Sequence, residues 1–456
     1  MLTLYREIVK YYPDFNDKDL TKHSLSVKSS TSGRHNESTL RDALSELMKL
    51  TLKFLSVSNF EKDSFAGENF LLDELLQRNA YRLFEKRIKS ASVSYKQIDA
   101  KYLYNKYWQD TLLFNFDFTY KKVLHKKDAS ERIDLLKSAS FDLLKFYIAE
   151  IVSLHLNSKI LSNKYNIDYS KNPLVLIVKG LNLDILLKMY DSKDAVILYI
   201  YKYLLEAFDN LNDEKSYFLY RKYIEDNKNY LSHDEMAFHY NWMVNYCILK
   251  KKSSLHRNAF DEELFSIYNI FLINKYYQDK KNMHLSVELY RDIMIQGLYL
   301  KQYKWTYEFI NKYSSEVSPS KRENLLNFSY TYYYSHLGDY HKAFEYYGKI
   351  VMNNFVFKYD IKNLVTKMYY ELDYFEEALC EIKSFKEFLR NNSLVPQLRK
   401  TRTGNYLKYF EKLILYKLGN RSSDLGYLKK RIIGDINVSY KEWLIIKIDI
   451  LIGSVK

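Results

Sequence analysis

Proline, glycine and cysteine are scarce in this chain of 456 residues, which contains four Pro, eleven Gly and two Cys. All-β sandwiches, barrels and doubly wound nucleotide-binding folds need many Gly-rich and Pro-rich turns. The scarcity of Gly and Pro therefore favours helices joined by short connections. The two cysteines, Cys247 and Cys380, lie far apart and lack CxxC spacing, which argues against a disulfide framework or a zinc site. We expect both to be reduced thiols in the core.

Long apolar runs are also missing. The N-terminus carries Glu7 early and meets Pro13 without an uninterrupted apolar segment, so we expect no secretory signal. Residues 174–178 form an apolar stretch far shorter than the 20 or so residues of a membrane span, and charges interrupt the stretch 443–452. The sequence therefore predicts a cytoplasmic protein without a membrane span.

Signatures of common enzymes are absent as well. The chain has no GxxxxGK[ST] or GxGxxG phosphate cradle, no HExxH zinc motif and no GxSxG nucleophile elbow. His233 and His239 are six residues apart, which on a helix points them towards different faces. We expect a protein without catalytic residues, cofactor or metal. A hydrolase or nuclease that assembles its carboxylates from distant positions is the least supported alternative.

Apolar residues recur at steps of three and four nearly throughout the chain, as in Leu72, Leu76, Ala80 and Leu83. This spacing is typical of amphipathic helices and predicts an all-α protein. Hydrophobic residues make up 47% and charged residues 28%, a composition that argues against disorder. Only at residues 174–178 does a strand compete seriously with a buried helix, and we favour the helix.

The first 60 residues are predicted to form a three-helix unit. A short helix begins at about Leu2, a second spans about 17–25, and a long helix runs from about 38 to 54 after a polar loop. Such a unit is compatible with a helix-turn-helix or winged-helix-like domain. Residues 1–60 contain nine basic and seven acidic residues, however. This mixed charge does not favour DNA binding, because a recognition helix presents a basic face to phosphates. We prefer an N-terminal cap of a helical array.

A sequence repeat lies between about Val287 and Asn391. Small residues occupy equivalent positions 37 and 35 residues apart, at Thr306, Ala343 and Ala378. A turn precedes each of them and starts at Lys301, Gly338 and Asp373. A small residue at this place lets two helices approach closely where they cross.

The pattern resembles the tetratricopeptide repeat, a helix-turn-helix unit of about 34 residues. The resemblance implies a right-handed α-solenoid of helical hairpins. On the basis of this resemblance we divide the chain into four segments. They are the N-terminal unit 1–60, a degenerate helical-hairpin array 61–285, the repeats 286–400 and a basic C-terminal cap 401–456. The whole chain is also similar to a group of uncharacterised bacterial proteins, a resemblance that implies no activity.

In a tetratricopeptide array the first helix of each pair lines a concave groove. The groove positions that the resemblance implies as partner-binding residues are Arg291, Phe328, Tyr332, His336, Asn363, Lys367 and Tyr370. An aromatic strip flanked by basic and amide groups would hold an extended or helical peptide with an acidic feature. The family's carboxylate-binding arrangement of Lys and Asn is not reproduced. Packing between neighbouring helices is the alternative interpretation of Phe328 and Tyr332.

The net charge of +14 is concentrated near the C-terminus, where 16 basic and seven acidic residues lie from Glu381 onwards. A candidate patch for an anionic partner comprises Arg399, Lys400, Arg402, Lys408, Lys412, Arg421, Lys429, Lys430 and Arg431. Basic side chains near Tyr406 and Tyr409 suit nucleic acid or an acidic protein. The alternative is a solvated outer face of a terminal repeat.

Taken together, these features predict a non-enzymatic scaffold or adaptor that binds a protein or peptide in a concave groove. The alternative is a nucleic-acid-associated regulator, in which the N-terminal unit or the basic C-terminal patch is joined to a helical sensor array.

Overall fold

A computed structural model describes residues 2–12, 15, 18, 20–29, 37–91, 98–121, 125–165, 167–190, 195–253, 257–278, 283–351, 355–393, 395–419 and 424–454. Over these ranges the chain is helical and contains no strand, which confirms the predicted all-α class. Pro13 and Arg421, the latter a member of the predicted basic patch, lie outside the described residues. The chain divides into two compact units, Met1–Ile148 and Ala149–Lys456, which is coarser than the four predicted segments.

Unit 1 begins with three helices that bury Leu4, Leu25 and Leu40 against one another. The second of them starts five residues later than predicted. A second small core joins the next three helices through Leu72 and Phe84. The helices of unit 1 are α1 (Leu2–Val9), α2 (Lys22–Ser29), α3 (Glu37–Lys62), α4 (Ser64–Gln77), α5 (Tyr81–Ala91), α6 (Ala100–Tyr120) and α7 (Lys126–Tyr165), the last of which contains the division between the units.

Unit 2 follows with helices of six to 21 residues. They are α8 (Pro173–Gly180), α9 (Leu183–Lys188), α10 (Val196–Asp209), α11 (Glu214–Asp226), α12 (His233–Ser253), α13 (Arg257–Ile273), α14 (Val287–Tyr299), α15 (Tyr303–Tyr313), α16 (Pro319–Leu337), α17 (Tyr340–Tyr347), α18 (Phe355–Glu371), α19 (Phe375–Asn391), α20 (Gln397–Lys417), α21 (Leu425–Gly434) and α22 (Lys441–Ser454). The ambiguous stretch 174–178 lies in α8, as predicted. Asn172 caps this helix and Pro173 occupies its first turn.

Consecutive helices of unit 2 pack in pairs. α10 contacts α11, α12 contacts α13, and the pairs α14–α15, α16–α17 and α18–α19 continue the pattern. The first helices of neighbouring pairs also touch, since α14 contacts α16 and α16 contacts α18. Residues on these first helices are thereby brought together although they are far apart in sequence.

Small residues sit at the helix crossings where the repeat pattern places them. Thr306, Ala343 and Ala378 are all fully buried. A Cβ atom on Gly297 would lie 2.5 Å from the Thr306 Oγ1 atom, so α14 and α15 approach each other more closely than larger side chains permit. This packing confirms the physical reason given for the small residues.

The turns that open the second helix of each repeat share one backbone conformation. Lys301, Gly338 and Asp373 all adopt positive φ, at 57°, 82° and 60°. In each turn the next amide donates to the carbonyl five residues back, over 2.9–3.0 Å. This is the Schellman cap, which satisfies the last carbonyl groups of a helix. The same cap closes α4 at Asn79 and α13 at Lys275.

We expect Lys301→Gly to raise the free energy of unfolding by about 1 kcal/mol, because lysine is strained in the left-handed conformation and glycine is not. Urea denaturation measures the change. The matched control is Lys304→Gly, inside α15, where glycine costs about 1 kcal/mol instead. A loss of stability in both variants would contradict the assignment of the cap.

The two cysteines differ in environment. Cys247 is buried on α12, and burial raises the pKa of its thiol to about 12. Cys380 is exposed on α19, so the prediction of two core thiols was wrong for this residue. The buried face of α19 passes through Ala378 and Ile382, and Cys380 lies between them in sequence on another side of the helix.

Candidate binding site

Residues from α14, α18, α20 and α22 converge in unit 2, joined by the turn that precedes α22. Eight of them contact an aromatic ring or belong to one buried ion pair, and the ninth, Asn363, lies one helical turn before Lys367 on α18. We call this set the Lys367 cluster, and it comprises Arg291, Tyr359, Asp360, Asn363, Lys367, Arg399, Tyr406, Tyr440 and Trp443.

Lys367 lies among aromatic rings. Its Nζ atom is 3.8 Å from the ring centroid of Tyr440, 5.3 Å from that of Trp443 and 5.9 Å from that of Tyr406. The side chain is only partly exposed, and within the described ranges it forms no ion pair. Burial lowers the pKa of the Lys367 ammonium to about 7, although Glu371 opposes the shift. A cation held by ring faces without an anion is suited to receive one.

Tyr440 owes its position to a strained turn. Its φ is 52°, a left-handed conformation that is uncommon for a bulky residue. The Ser439 amide donates to the carbonyl of Arg402 over 3.1 Å, which ties the turn to α20. The Tyr440 ring lies 5.2 Å from the ring of Tyr406, and its side chain remains 40% exposed. Such strain persists where the surrounding structure enforces it, and it concentrates at functional sites.

Arg399 is the second cation of the cluster that lies over an aromatic ring. Its guanidinium group stacks over the Tyr359 ring, with the Cζ atom 4.1 Å from the centroid. The side chain is exposed and forms no ion pair with any described residue. The Tyr359 hydroxyl is 2.6 Å from the Thr403 Oγ1 atom, which fixes the ring beneath the guanidinium. Because Arg399 also acts electrostatically on Tyr440, the two cations share one neighbourhood.

Arg291 and Asp360 form the buried ion pair of the cluster. The Arg291 Nη1 atom donates to the Asp360 Oδ2 atom over 2.8 Å, and both side chains are largely buried. Burial raises the pKa of Asp360, while Arg291 and Arg399 act against this shift. Arg291 also bonds to Asp292. Its role is therefore internal pairing, and it is not a free ligand for a partner.

Two polar groups in the cluster have unused hydrogen-bonding capacity. The Asn363 Oδ1 atom and the Tyr406 hydroxyl are buried and form no hydrogen bond. Buried polar groups are rarely left without partners, so each such case calls for an explanation. A bound ligand that donates to Asn363 or pairs with the Tyr406 hydroxyl would supply one.

The other predicted groove residues divide between the core and the surface. Phe328 is fully buried and stacks on Phe357 at 4.8 Å. Tyr332 is 7% exposed, and Tyr370 belongs to the buried cluster between α18 and α22. Packing between helices, the alternative interpretation, thus describes Phe328 and Tyr332, and Tyr370 packs in the core as well. His336 is exposed, with its Nδ1 atom 2.9 Å from the Tyr332 carbonyl oxygen.

The predicted basic patch does not form one surface on α20. Lys408 lies nine residues after Arg399, which is two and a half helical turns and places it on the opposite side. Lys412 shares the side of Lys408. Lys429 is paired with Asp449 at 2.5 Å. The remaining described members of the patch are Lys400, Arg402, Lys430 and Arg431, the last with its guanidinium 5.9 Å from the Tyr427 ring centroid.

Sequence reasoning missed Tyr359, Tyr440 and Trp443. Tyr440 and Trp443 lie beyond the recognised repeats, and no glycine or proline marks the strained turn. The one available signal was the helical pair α21 and α22, which continues the pattern of paired helices beyond the recognised repeats. The contact between α20 and α22 was needed to place Tyr440 and Trp443 in the cluster.

Comparison with protein-family models, with curated proteins and with solved structures found no match. Across the described ranges, no group of three or more His, Cys, Asp or Glu side chains is placed to hold a metal ion. None of the helices in those ranges has the length and apolar composition of a membrane span.

Proposed function

We propose that the chain is a non-enzymatic cytoplasmic adaptor that binds an acidic segment of a protein partner at the Lys367 cluster. We further propose that unit 2 is a right-handed solenoid of tetratricopeptide-like hairpins. The recurring Schellman caps, the buried small residues and the contacts between first helices support this architecture.

One observation carries the binding proposal. Lys367 lies 3.8 Å from the ring centroid of Tyr440, Arg399 acts electrostatically on the Tyr440 hydroxyl, and neither cation forms an ion pair with a described carboxylate. Aromatic faces hold both side chains in place, so little conformational entropy is lost when an anion binds. A carboxylate of the partner would then supply the missing anion and accept charged hydrogen bonds from both side chains. The partly desolvated setting strengthens such hydrogen bonds.

A protein partner fits this cluster better than nucleic acid does. Nucleic acid binding draws on many basic side chains along one face, since each neutralised phosphate adds to affinity. Here Arg399 and Lys408 lie on opposite sides of α20, and Lys429 is already paired. The nucleic-acid-associated regulator remains the second candidate, and the experiment below separates the two.

We expect Arg399→Glu and Lys367→Gln each to remove the main protein partner in a tagged pull-down from the native host, with at least tenfold loss by quantitative mass spectrometry. The matched control is Lys383→Glu on α19, an exposed lysine outside the cluster, which should retain the partner. Half of each sample is treated with nuclease. Tyr332→Ala is unsuitable as a test because Tyr332 is buried.

A partner that survives nuclease and is lost only from the two cluster variants supports the adaptor. Equal capture by all three variants would refute the role of the Lys367 cluster. Protein partners that disappear on digestion, together with nucleic acid that co-purifies, would favour the regulator instead.

A further inference from the structure

The ammonium group of Lys367 can lose its charge without breaking an ion pair. The nearest acid that acts on it is Glu371, one turn further along α18, and Glu371 already pairs with Lys447 of α22 at 2.7 Å. The rings of Tyr406, Tyr440 and Trp443 surround the amine, yet part of the side chain reaches solvent. An amine of this kind is poorly compensated by nearby charge, and its side chain is not sealed off from solvent.

We propose that Lys367 is an acyl-acceptor site, whose ε-amine takes an acyl group from an activated acyl compound, namely a thioester or an acyl phosphate. The amine nitrogen attacks the carbonyl carbon and forms a C–N bond. The C–S or C–O bond breaks, and the proton that the nitrogen gives up passes to the departing thiolate or phosphate, which leaves as a thiol or as hydrogen phosphate. The product is a neutral amide, and the step involves no oxidation or reduction.

The titratable surroundings of Lys367 support a neutral amine at neutral pH. Lys447 on α22 adds positive charge nearby and pairs with Glu371 of α18. Burial lowers the pKa of His336 on α16, so this ring is mainly neutral at pH 7 and supplies no anion. Burial raises the pKa values of the Tyr406 and Tyr440 hydroxyls, so neither supplies an anion near pH 7. With a pKa of about 7, about half of the Lys367 amine is neutral at pH 7. An ordinary lysine is neutral to well under one part in a thousand at this pH.

This inference does not depend on the proposed function, because it concerns the reactivity of one amine. If the proposed function holds, acylation of Lys367 also affects partner binding. Acylation would remove one of the two unpaired cations and would weaken the binding of an acidic partner in the same way as Lys367→Gln.

The test is acetylation of the full-length protein with acetyl phosphate in one arm and S-acetyl-N-acetylcysteamine in the other. Acetyl occupancy at each lysine is followed over time by peptide mass spectrometry at pH 7 and pH 9. We expect Lys367 to react at least tenfold faster than the exposed Lys383 at pH 7 with at least one donor. The ratio should fall at pH 9, where Lys383 gains neutral amine and Lys367 has little more to gain.

The same reaction in 8 M urea is the control for local sequence, and the advantage of Lys367 should vanish there. A response to one donor only identifies the source of the acyl group as phosphate or thioester. A rate at Lys367 equal to or below that of Lys383 with both donors would overturn the proposal. A rate that rises with pH in parallel with Lys383 would do so as well.

Discussion

Lys367→Met should produce a protein that is more stable than the wild type and unable to hold its partner. The methionine side chain fills the space between the rings of Tyr406 and Tyr440 without carrying a desolvated charge. We expect the free energy of unfolding to rise by about 1–2 kcal/mol at pH 6, since loss of the cation–π contacts offsets part of the gain. Urea denaturation and the pull-down described above measure the two effects.

The gain in stability should depend on pH in a defined direction. An unfolded chain keeps the lysine proton up to the ordinary pKa of 10.5, whereas the native side chain releases it near 7. Because the unfolded state binds more protons between these values, the stability that Lys367 contributes to the wild type rises with pH across that window. The advantage of Lys367→Met is therefore full below pH 7 and shrinks towards pH 10.5.

The control for this prediction is Lys383→Met, which should change stability by less than about 0.5 kcal/mol at every pH. A destabilised Lys367→Met variant would show that the ammonium contributes to folding through contacts other than those described. A stability difference that is constant from pH 7 to pH 10 would contradict the lowered pKa of Lys367.

Arg291→Met should cause the largest loss of stability. It leaves the Asp360 carboxylate buried without the partner that now lies 2.8 Å away. Removal of one member of a buried ion pair typically costs about 3–5 kcal/mol, because an uncompensated charge remains. Urea denaturation at pH 7 measures the loss. The matched control is Arg390→Met, since Arg390 is 74% exposed beside Glu387 and an exposed pair is worth less than about 1 kcal/mol.

The loss in Arg291→Met should become smaller as the pH falls. Burial already raises the pKa of Asp360, and removal of Arg291 takes away the main opposing influence. The carboxyl group then takes up a proton at higher pH, which removes its buried charge. Asp360→Asn in the Arg291→Met background should recover most of the lost stability. Unchanged stability in Arg291→Met would mean that the pair is not buried in solution.

The helical class and much of the local structure of the repeats could be predicted from the sequence. The three- and four-residue steps of apolar side chains define helices because a helix turns once every 3.6 residues. The positions of Thr306, Ala343 and Ala378 marked the helix crossings, and all three are buried. These features are local, so neighbouring residues contain the necessary information.

The candidate site was predicted only in part. Lys367 and Arg399 were named as members of two separate surfaces. In the structure Lys367 lies against the Tyr440 ring, and Arg399 acts electrostatically on the Tyr440 hydroxyl. Phe328 was named as a groove residue but packs against Phe357, because an aromatic residue on an apolar face is equally suited to a core and to a ligand. Cys380 shows the converse case, since a residue type that is usually buried lies on an exposed side of α19.

What the sequence by itself determined is therefore the set of helices, the turns between them and the small residues at their crossings. Only the tertiary structure decided which cations lack an anion and which aromatic rings surround them. The reason is physical. Helix periodicity follows from backbone hydrogen bonds between near neighbours, whereas the contacts of Lys367 depend on how α18, α20 and α22 pack. Small differences in that packing decide whether a charged side chain meets a carboxylate, a ring face or solvent.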